Sequence, residues 1–187
     1  MSELKVFAAD APPSAGGKPE LQSSDPAEIA RVLADKGVRF ERWEVSPEIV
    51  PGAPSEAVLA AYAEEIEFLK TEGGYRKVDV VSMGPDHPER VALRAKFRIE
   101  HTHTEDEVRF FVAGEGLFAM HLDQKVYEIH CVQGDLISLP ANARHWFDMG
   151  PEPHFVALRF FLDPSGWVAN PTGSKLGALF SSLGPQA

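Results

Sequence analysis

Read for its apolar positions alone, the chain changes character near residue 100. Before that point, apolar residues recur twice at helical spacing. Ile29, Val32 and Leu33 stand at i, i+3 and i+4 behind Asp25-Pro26, an N-cap aspartate with proline in the first helical position. Gly37 is well placed to end that helix. Val58, Leu59, Tyr62, Ile66 and Leu69 keep the same period through residues 55–70, and Gly73-Gly74 close it. A shorter third helix is expected over residues 89–97, carrying Arg94 and Lys96. Short runs predict strands at 4–9, 38–43 and 78–83, while 10–24, 47–54 and 84–88 read as loops and turns. Beyond residue 100 the pattern is one of β-runs: 108–112, 117–122, 126–131, 136–139, 145–147 and 155–161, separated by Gly, Asp-Gln or Pro-Ala-Asn. Strands this short with frequent turns predict an all-β barrel or sandwich, with the Ala- and Glu-rich helices outside it. Leu176, Leu179 and Phe180 predict a last apolar turn in the tail.

Size and charge narrow the picture. A chain of 187 residues has room for one domain with a sizeable core. The expected division is a single domain over 1–187, its β core at about 78–167 and its helical segment at about 25–70. A net charge of −10 repels polyphosphate and argues against nucleic acid. Cys131 is the single cysteine, so no internal disulfide forms, which suits a reducing cytoplasmic setting. The first residues lack a secretory pattern, and no apolar run approaches the ~20 residues of a membrane span.

The chemistry concentrates in His101-Thr102-His103-Thr104-Glu105-Asp106-Glu107. In a strand, His101, His103 and Glu107 share one face. Two imidazoles and a carboxylate form a nitrogen/oxygen set that suits divalent iron, nickel, manganese or zinc better than copper(I). Taken alone, the stretch also reads as a solvated acidic turn. Its continuation decides between the two. Gly114 follows Glu107, and Gly134, Pro140 and His145 follow later, in a spacing that resembles the two-part signature of the cupin superfamily. That resemblance implies His145 as a fourth ligand and a jelly-roll β-barrel. The chain departs from it at Asn142, where glycine is usual, and at Ala95 and Met149. Asn tolerates the left-handed backbone, so the turn survives. Four such ligands leave open positions on a six-coordinate metal, as a catalytic site requires.

Other residues are placed by parity. Arg109 and Phe111 share the face of Glu107, and Arg159 lies in an almost wholly apolar strand. A buried arginine needs an anion, and two readings stand: an internal salt bridge, or a forked hold on an anionic substrate. Phe97, Phe147 and Trp167 either wall a pocket or pack an ordinary core. His87, His121, His130 and His154 have no partner at ligand spacing, and Cys131 reads as a small buried residue.

The block from Lys96 to Phe111 resembles acireductone dioxygenases, as do 134–140, 145–150, 156–161 and Gly166-Trp167. The resemblance implies His101, His103, Glu107 and His145 as metal ligands and Arg109, Arg159, Phe97, Phe147 and Trp167 as substrate-binding residues. It implies iron(II) or nickel(II) as cofactor, an acireductone and dioxygen as substrates, and a monomer. Asp106 is the candidate base nearest the ligands, reaching the site only if the chain bends there; a solvated turn aspartate is the alternative. Another metal-dependent cupin enzyme, or a non-catalytic metal-bound sensor, would share the four ligands. The other enzyme is not expected to share Arg109, Arg159 and Trp167; the sensor wants a DNA-binding helix pair or a basic face, and the acidic helices before the β core offer neither.

Overall fold

The structure, a computed structural model, describes residues 1–45, 49–163 and 168–184. In chain order it contains β1 (Glu3–Ala8), β2 (Leu21–Ser23), α1 (Pro26–Ala34), β3 (Arg39–Arg42), α2 (Ser55–Ala61), α3 (Ala63–Gly73), β4 (Lys77–Met83) and α4 (Arg90–Phe97). These are followed by β5 (His101–Thr102), β6 (Glu107–Leu122), β7 (Lys125–Val132), β8 (Asp135–Leu139), β9 (Arg144–Asp148), β10 (Phe155–Phe161) and β11 (Asn170–Pro171).

β6 joins two sheets. Its first half pairs with β8 and β10, in the order β4-β10-β6-β8-β3; its second half pairs with β7 and β9, in the order β11-β5-β9-β6-β7-β1-β2. Among the described residues the ladder does not close on itself, and the architecture is mainly β with four helices outside. The two β-runs expected at 108–112 and 117–122 are one strand that bends where it changes sheet. Gly114, at φ +69°, sits at the bend, and a Cβ there would meet the backbone of His154. The pairing with β10 shifts register between Val156 and Ala157, close by.

Strand alternation then sorts the core. Phe111, Phe118, Met120, Ile129, Ile137, Phe147 and Phe155 point between the sheets and are fully or almost fully buried. A buried phenylalanine contributes about 2–3 kcal/mol through area removed from water. Val108, Phe110, Val112, Val156, Leu158 and Phe160 point the other way, and Val58 and Tyr62 with Ile66 and Leu69 cover them. The helix expected over 55–70 is therefore two, α2 and α3, broken at Tyr62 (φ −114°, ψ 28°). No Gly or Pro marks the break. Two short rods follow a twisted sheet where one straight rod would lift off it, and Tyr62 packs edge-on against Phe110 at the junction, 5.7 Å between ring centres.

The ends of the other elements follow the sequence. Asp25 caps α1 by accepting from the Ala27 amide, and Gly37 (φ +73°) and Gly74 (φ +71°) turn the chain after helices. The loop expected over 10–24 also holds β2, which pairs with the edge of β1. In the tail, Leu176–Ala178 make one 3-10 turn, after which Phe180 is buried against Phe7 and Trp146.

Candidate metal centre

Four ligand-type side chains meet at one end of the space between the sheets. His101 lies on β5 and is the cross-strand partner of His145 on β9. His103 follows in the bend after β5, and Glu107 is the first residue of β6. Strand parity thus accounts for His101 and Glu107 within their own strands, while the bend carries His103 round to them. One ligand atom from each of the four lies within 4.8 Å of the others. Asn142 adopts φ +63°, the left-handed turn expected of it, and its amide donates to the His103 carbonyl at 2.8 Å. That turn delivers β9 and His145 to the site.

Hydrogen bonding settles which ring nitrogens face inward. Nδ1 of His101 donates to Ile99 O at 2.6 Å, Nδ1 of His145 to Ala143 O at 2.9 Å, and Nδ1 of His103 to Val168 O at 3.1 Å. A carbonyl accepts only, so Nδ1 carries a proton, and in the neutral ring Nε2 presents the lone pair. Burial lowers the His101 imidazole from 6.5 to about 4, so it stays neutral at pH 7.

Glu107 meets those lone pairs. Its Oε1 accepts from Arg109 Nη2 at 2.7 Å. Its Oε2 lies 2.7 Å from His145 Nε2 and 3.4 Å from His103 Nε2. Both Glu107 Oε2 and His145 Nε2 are buried without a hydrogen-bond partner. Burial, the largest effect, works to raise the Glu107 carboxyl, but the Arg109 guanidinium together with His145 and His103 outweighs it, and the group is held well below the usual carboxylate range. A carboxylate oxygen facing imidazole lone pairs is unfavourable unless a cation lies between them. The donor set therefore fits a divalent metal ion of the nitrogen/oxygen class.

The cluster opens onto a cavity of about 420 Å³. Phe97 on α4 and Phe147 on β9 line it, with ring centres 6.5 Å apart. Arg109 lies over the Phe147 and Phe118 rings at 4.5 and 4.9 Å. Arg159, beside Arg109 in the β10–β6 ladder, also lines the cavity. Its Nε and Nη2 donate to the two Asp79 carboxylate oxygens at 2.9 and 2.6 Å. The internal salt bridge, one of the two readings for Arg159, is thus present, and it lies at the wall of a cavity. Asp106 sits just before β6, where strand parity does not apply; it lines the cavity and accepts from the Ala141 amide at 2.9 Å. Trp167 lies outside the described residues.

The cavity wall also includes Lys96, Phe161, Val168 and Ala169. Phe161 was open to inference, since it has the parity of Arg159. Val168 and Ala169 carry no chemical signal of their own. The remaining histidines stand apart from the cluster: His87 Nδ1 accepts from the Glu89 amide at 3.3 Å, His121 Nδ1 lies 3.0 Å from Glu100 Oε2, His130 Nε2 lies 2.9 Å from Glu115 Oε2, and His154 is exposed. Cys131 is fully buried.

Comparison with known proteins agrees with this geometry. The model of the ARD/ARD' family matches residues 11–169. The acireductone dioxygenase of Alcanivorax borkumensis is 53% identical over 182 residues, covering 97% of this chain and 98% of its own. That of a Synechococcus strain is 54% identical over 184 residues, covering 98% and 99%. The solved structure of acireductone dioxygenase from Bacillus anthracis, with a cadmium ion in its active centre, aligns with a TM-score of 0.76 at 29% identity. That alignment covers 90% of this chain and 97% of the Bacillus one.

Proposed function

The chain belongs to the acireductone dioxygenase family, and on that premise we propose that it cleaves 1,2-dihydroxy-5-(methylthio)pent-1-en-3-one with dioxygen in methionine salvage. His101, His103, Glu107 and His145 are the ligands in this reading, and iron(II) or nickel(II) is the metal. The observation that carries it is the buried, unpartnered pair of Glu107 Oε2 and His145 Nε2 inside a ring of imidazole lone pairs. Held by these four residues, the metal would supply Lewis acidity towards the substrate. With iron(II) the products are formate and 4-methylthio-2-oxobutanoate. With nickel(II) they are formate, carbon monoxide and 3-(methylthio)propanoate.

The chain's own residues do the rest. Arg109 and Arg159, adjacent across the β6–β10 ladder, present positive charge to the enediolate oxygens. Arg109 is held in place by Glu107 and by two aromatic faces. Phe97 and Phe147 wall the cavity and exclude water from the ionised substrate, which strengthens those contacts; Trp167 is assigned the same role from the resemblance alone. Asp106 lines the same cavity and is the candidate to take the enediol proton at a carboxylate oxygen. Both hydrophobic clusters draw on β6, which supports reading the chain as a single domain.

The test is product analysis. Protein stripped of metal is reloaded anaerobically with iron(II) or nickel(II) and given the substrate and oxygen. The oxo-acid is expected with iron and carbon monoxide with nickel. Bound metal with neither product would remove this substrate from the proposal.

A further inference from the structure

The three imidazoles are not held alike. His101 and His145 each donate to a carbonyl two residues earlier in the chain, Ile99 O and Ala143 O. His103 donates to Val168 O, 65 residues away in sequence. Its orientation therefore depends on where residues 168–172 lie.

Those residues run antiparallel across β5, with Asn170 opposite Thr102 and Pro171 opposite His101. The ladder is two residues long, and Pro171 has no amide hydrogen to give it. The fastening comes from Thr172. Its amide donates to Glu100 O at 3.0 Å, and its hydroxyl donates to Glu100 Oε1 at 2.6 Å and accepts from the Ser174 amide at 3.2 Å. Glu100 is 1% exposed, and His121 Nδ1 holds its other oxygen at 3.0 Å. A contiguous set of contacts thus runs from a buried carboxylate through the Thr172 hydroxyl and the strap to the Val168 carbonyl and the His103 ring.

We propose that Thr172 is a positioning residue for His103. By fastening residues 168–172 to Glu100, it places the Val168 carbonyl that fixes the tautomer and plane of the His103 imidazole. The proposal rests on reading His101, His103, Glu107 and His145 as metal ligands. Groups that orient a metal-ligating histidine are worth about 10–100-fold in metal affinity.

The experiment is cobalt(II) titration of the full-length chain, followed through the visible absorption of the bound ion. Thr172→Val keeps the shape and removes the hydroxyl. Cobalt affinity is expected to fall about ten-fold, with a shifted spectrum. Thr172→Ser is expected to restore both. Leu176→Ala loosens a partly buried tail residue outside the strap. It is expected to lower the melting temperature while leaving the cobalt spectrum and affinity unchanged. The proposal is overturned if Thr172→Val binds cobalt as the parent does, if Thr172→Ser fails to rescue, or if Leu176→Ala changes the spectrum as much as Thr172→Val. His103→Ala separates the two layers. Wild-type cobalt affinity in that variant removes the ligand assignment and the proposal with it. A loss there beside a silent Thr172→Val removes the proposal alone.

Discussion

β9 carries His145 and Asp148, and around these two residues lie two buried carboxylates, each held by arginine and each bound for a different end. Asp148 is 1% exposed and fully engaged. Its Oδ1 accepts from Arg94 Nε at 2.7 Å and the Gly150 amide at 2.9 Å. Its Oδ2 accepts from Arg94 Nη2 at 3.0 Å and the Leu183 amide at 3.1 Å. These bonds tie α4, β9 and the tail together. Glu107 spends one oxygen on Arg109 and leaves the other buried and unpartnered among imidazoles. Buried acceptors are almost always satisfied, so the unfilled one marks the place where a partner is to come. A carboxylate satisfied on every side holds the fold; one left a contact short has an oxygen to offer a ligand.

The largest expected effects come from breaking each region in turn. Asp148→Ala strands the Arg94 guanidinium and two amides in a largely buried place. It is expected to cost about 3–5 kcal/mol, as breaking a buried pair does. In a chain of this size that lowers the melting temperature by on the order of 10 °C. The folded variant should still bind its full complement of metal. His103→Ala should do the opposite, losing metal and turnover together. Its metal-free form should lose no more than about 1 kcal/mol, the worth of one neutral hydrogen bond. Metal analysis and thermal melts of both variants decide it. A metal-free Asp148→Ala protein with an unchanged melting point would collapse the distinction.

Acid should separate the regions next. Burial lowers His101 to about 4 from 6.5, so the unfolded chain takes up a proton before the folded one does. Its contribution is present above pH 6.5 and is lost as the pH falls towards 4, a change of up to about 3 kcal/mol. Asp148 is also depressed: burial works to raise it, but Arg94 and the Gly150 amide outweigh that. Its contribution is present above the unfolded value of 3.8 and is lost only below it. Glu128 and Asp135, raised by burial, slope the other way. The comparison is therefore made against His101→Asn, in which those slopes cancel. Urea unfolding of metal-free protein from pH 7.5 to 3.5 should show the parent losing stability above pH 4 and the variant losing less. Identical profiles would mean that His101 titrates alike folded and unfolded.

The same contrast explains what the sequence could and could not reveal. Period and caps were legible: Asp25-Pro26 starts α1, Gly37 follows it, and Asn142 takes its left-handed turn. The convergence of His101, His103 and Glu107 was legible because ligand-type residues come in few kinds at few spacings, and His145 needed the wider resemblance. The break at Tyr62 was not legible, since it is imposed by the sheet beneath rather than by a local breaker. β2 and β11 were not, since each is a few residues long and owes its existence to a neighbour's edge. The hold on His103 was invisible for a related reason: its partner is a backbone carbonyl, which every residue has.

Arg159 stands between the two regions and gives the smallest and finest test. It shares a two-pronged pair with Asp79, as Arg94 does with Asp148, yet both Arg159 and Asp79 side chains are 24% exposed and the guanidinium lines the cavity. Partial exposure screens the pair, so its worth to the fold is below about 1 kcal/mol. If its use is instead to hold a planar fork towards substrate oxygens, the fork matters more than the charge. Arg159→Lys keeps the charge and discards the fork. Stability should change by less than about 1 kcal/mol and metal content not at all, while KM should rise by about three- to ten-fold, roughly the 1 kcal/mol of one lost hydrogen bond, at nearly constant kcat. A fall in stability of several kcal/mol with an unchanged KM would place Arg159 with Arg94, as a brace of the fold that only happens to border the cavity.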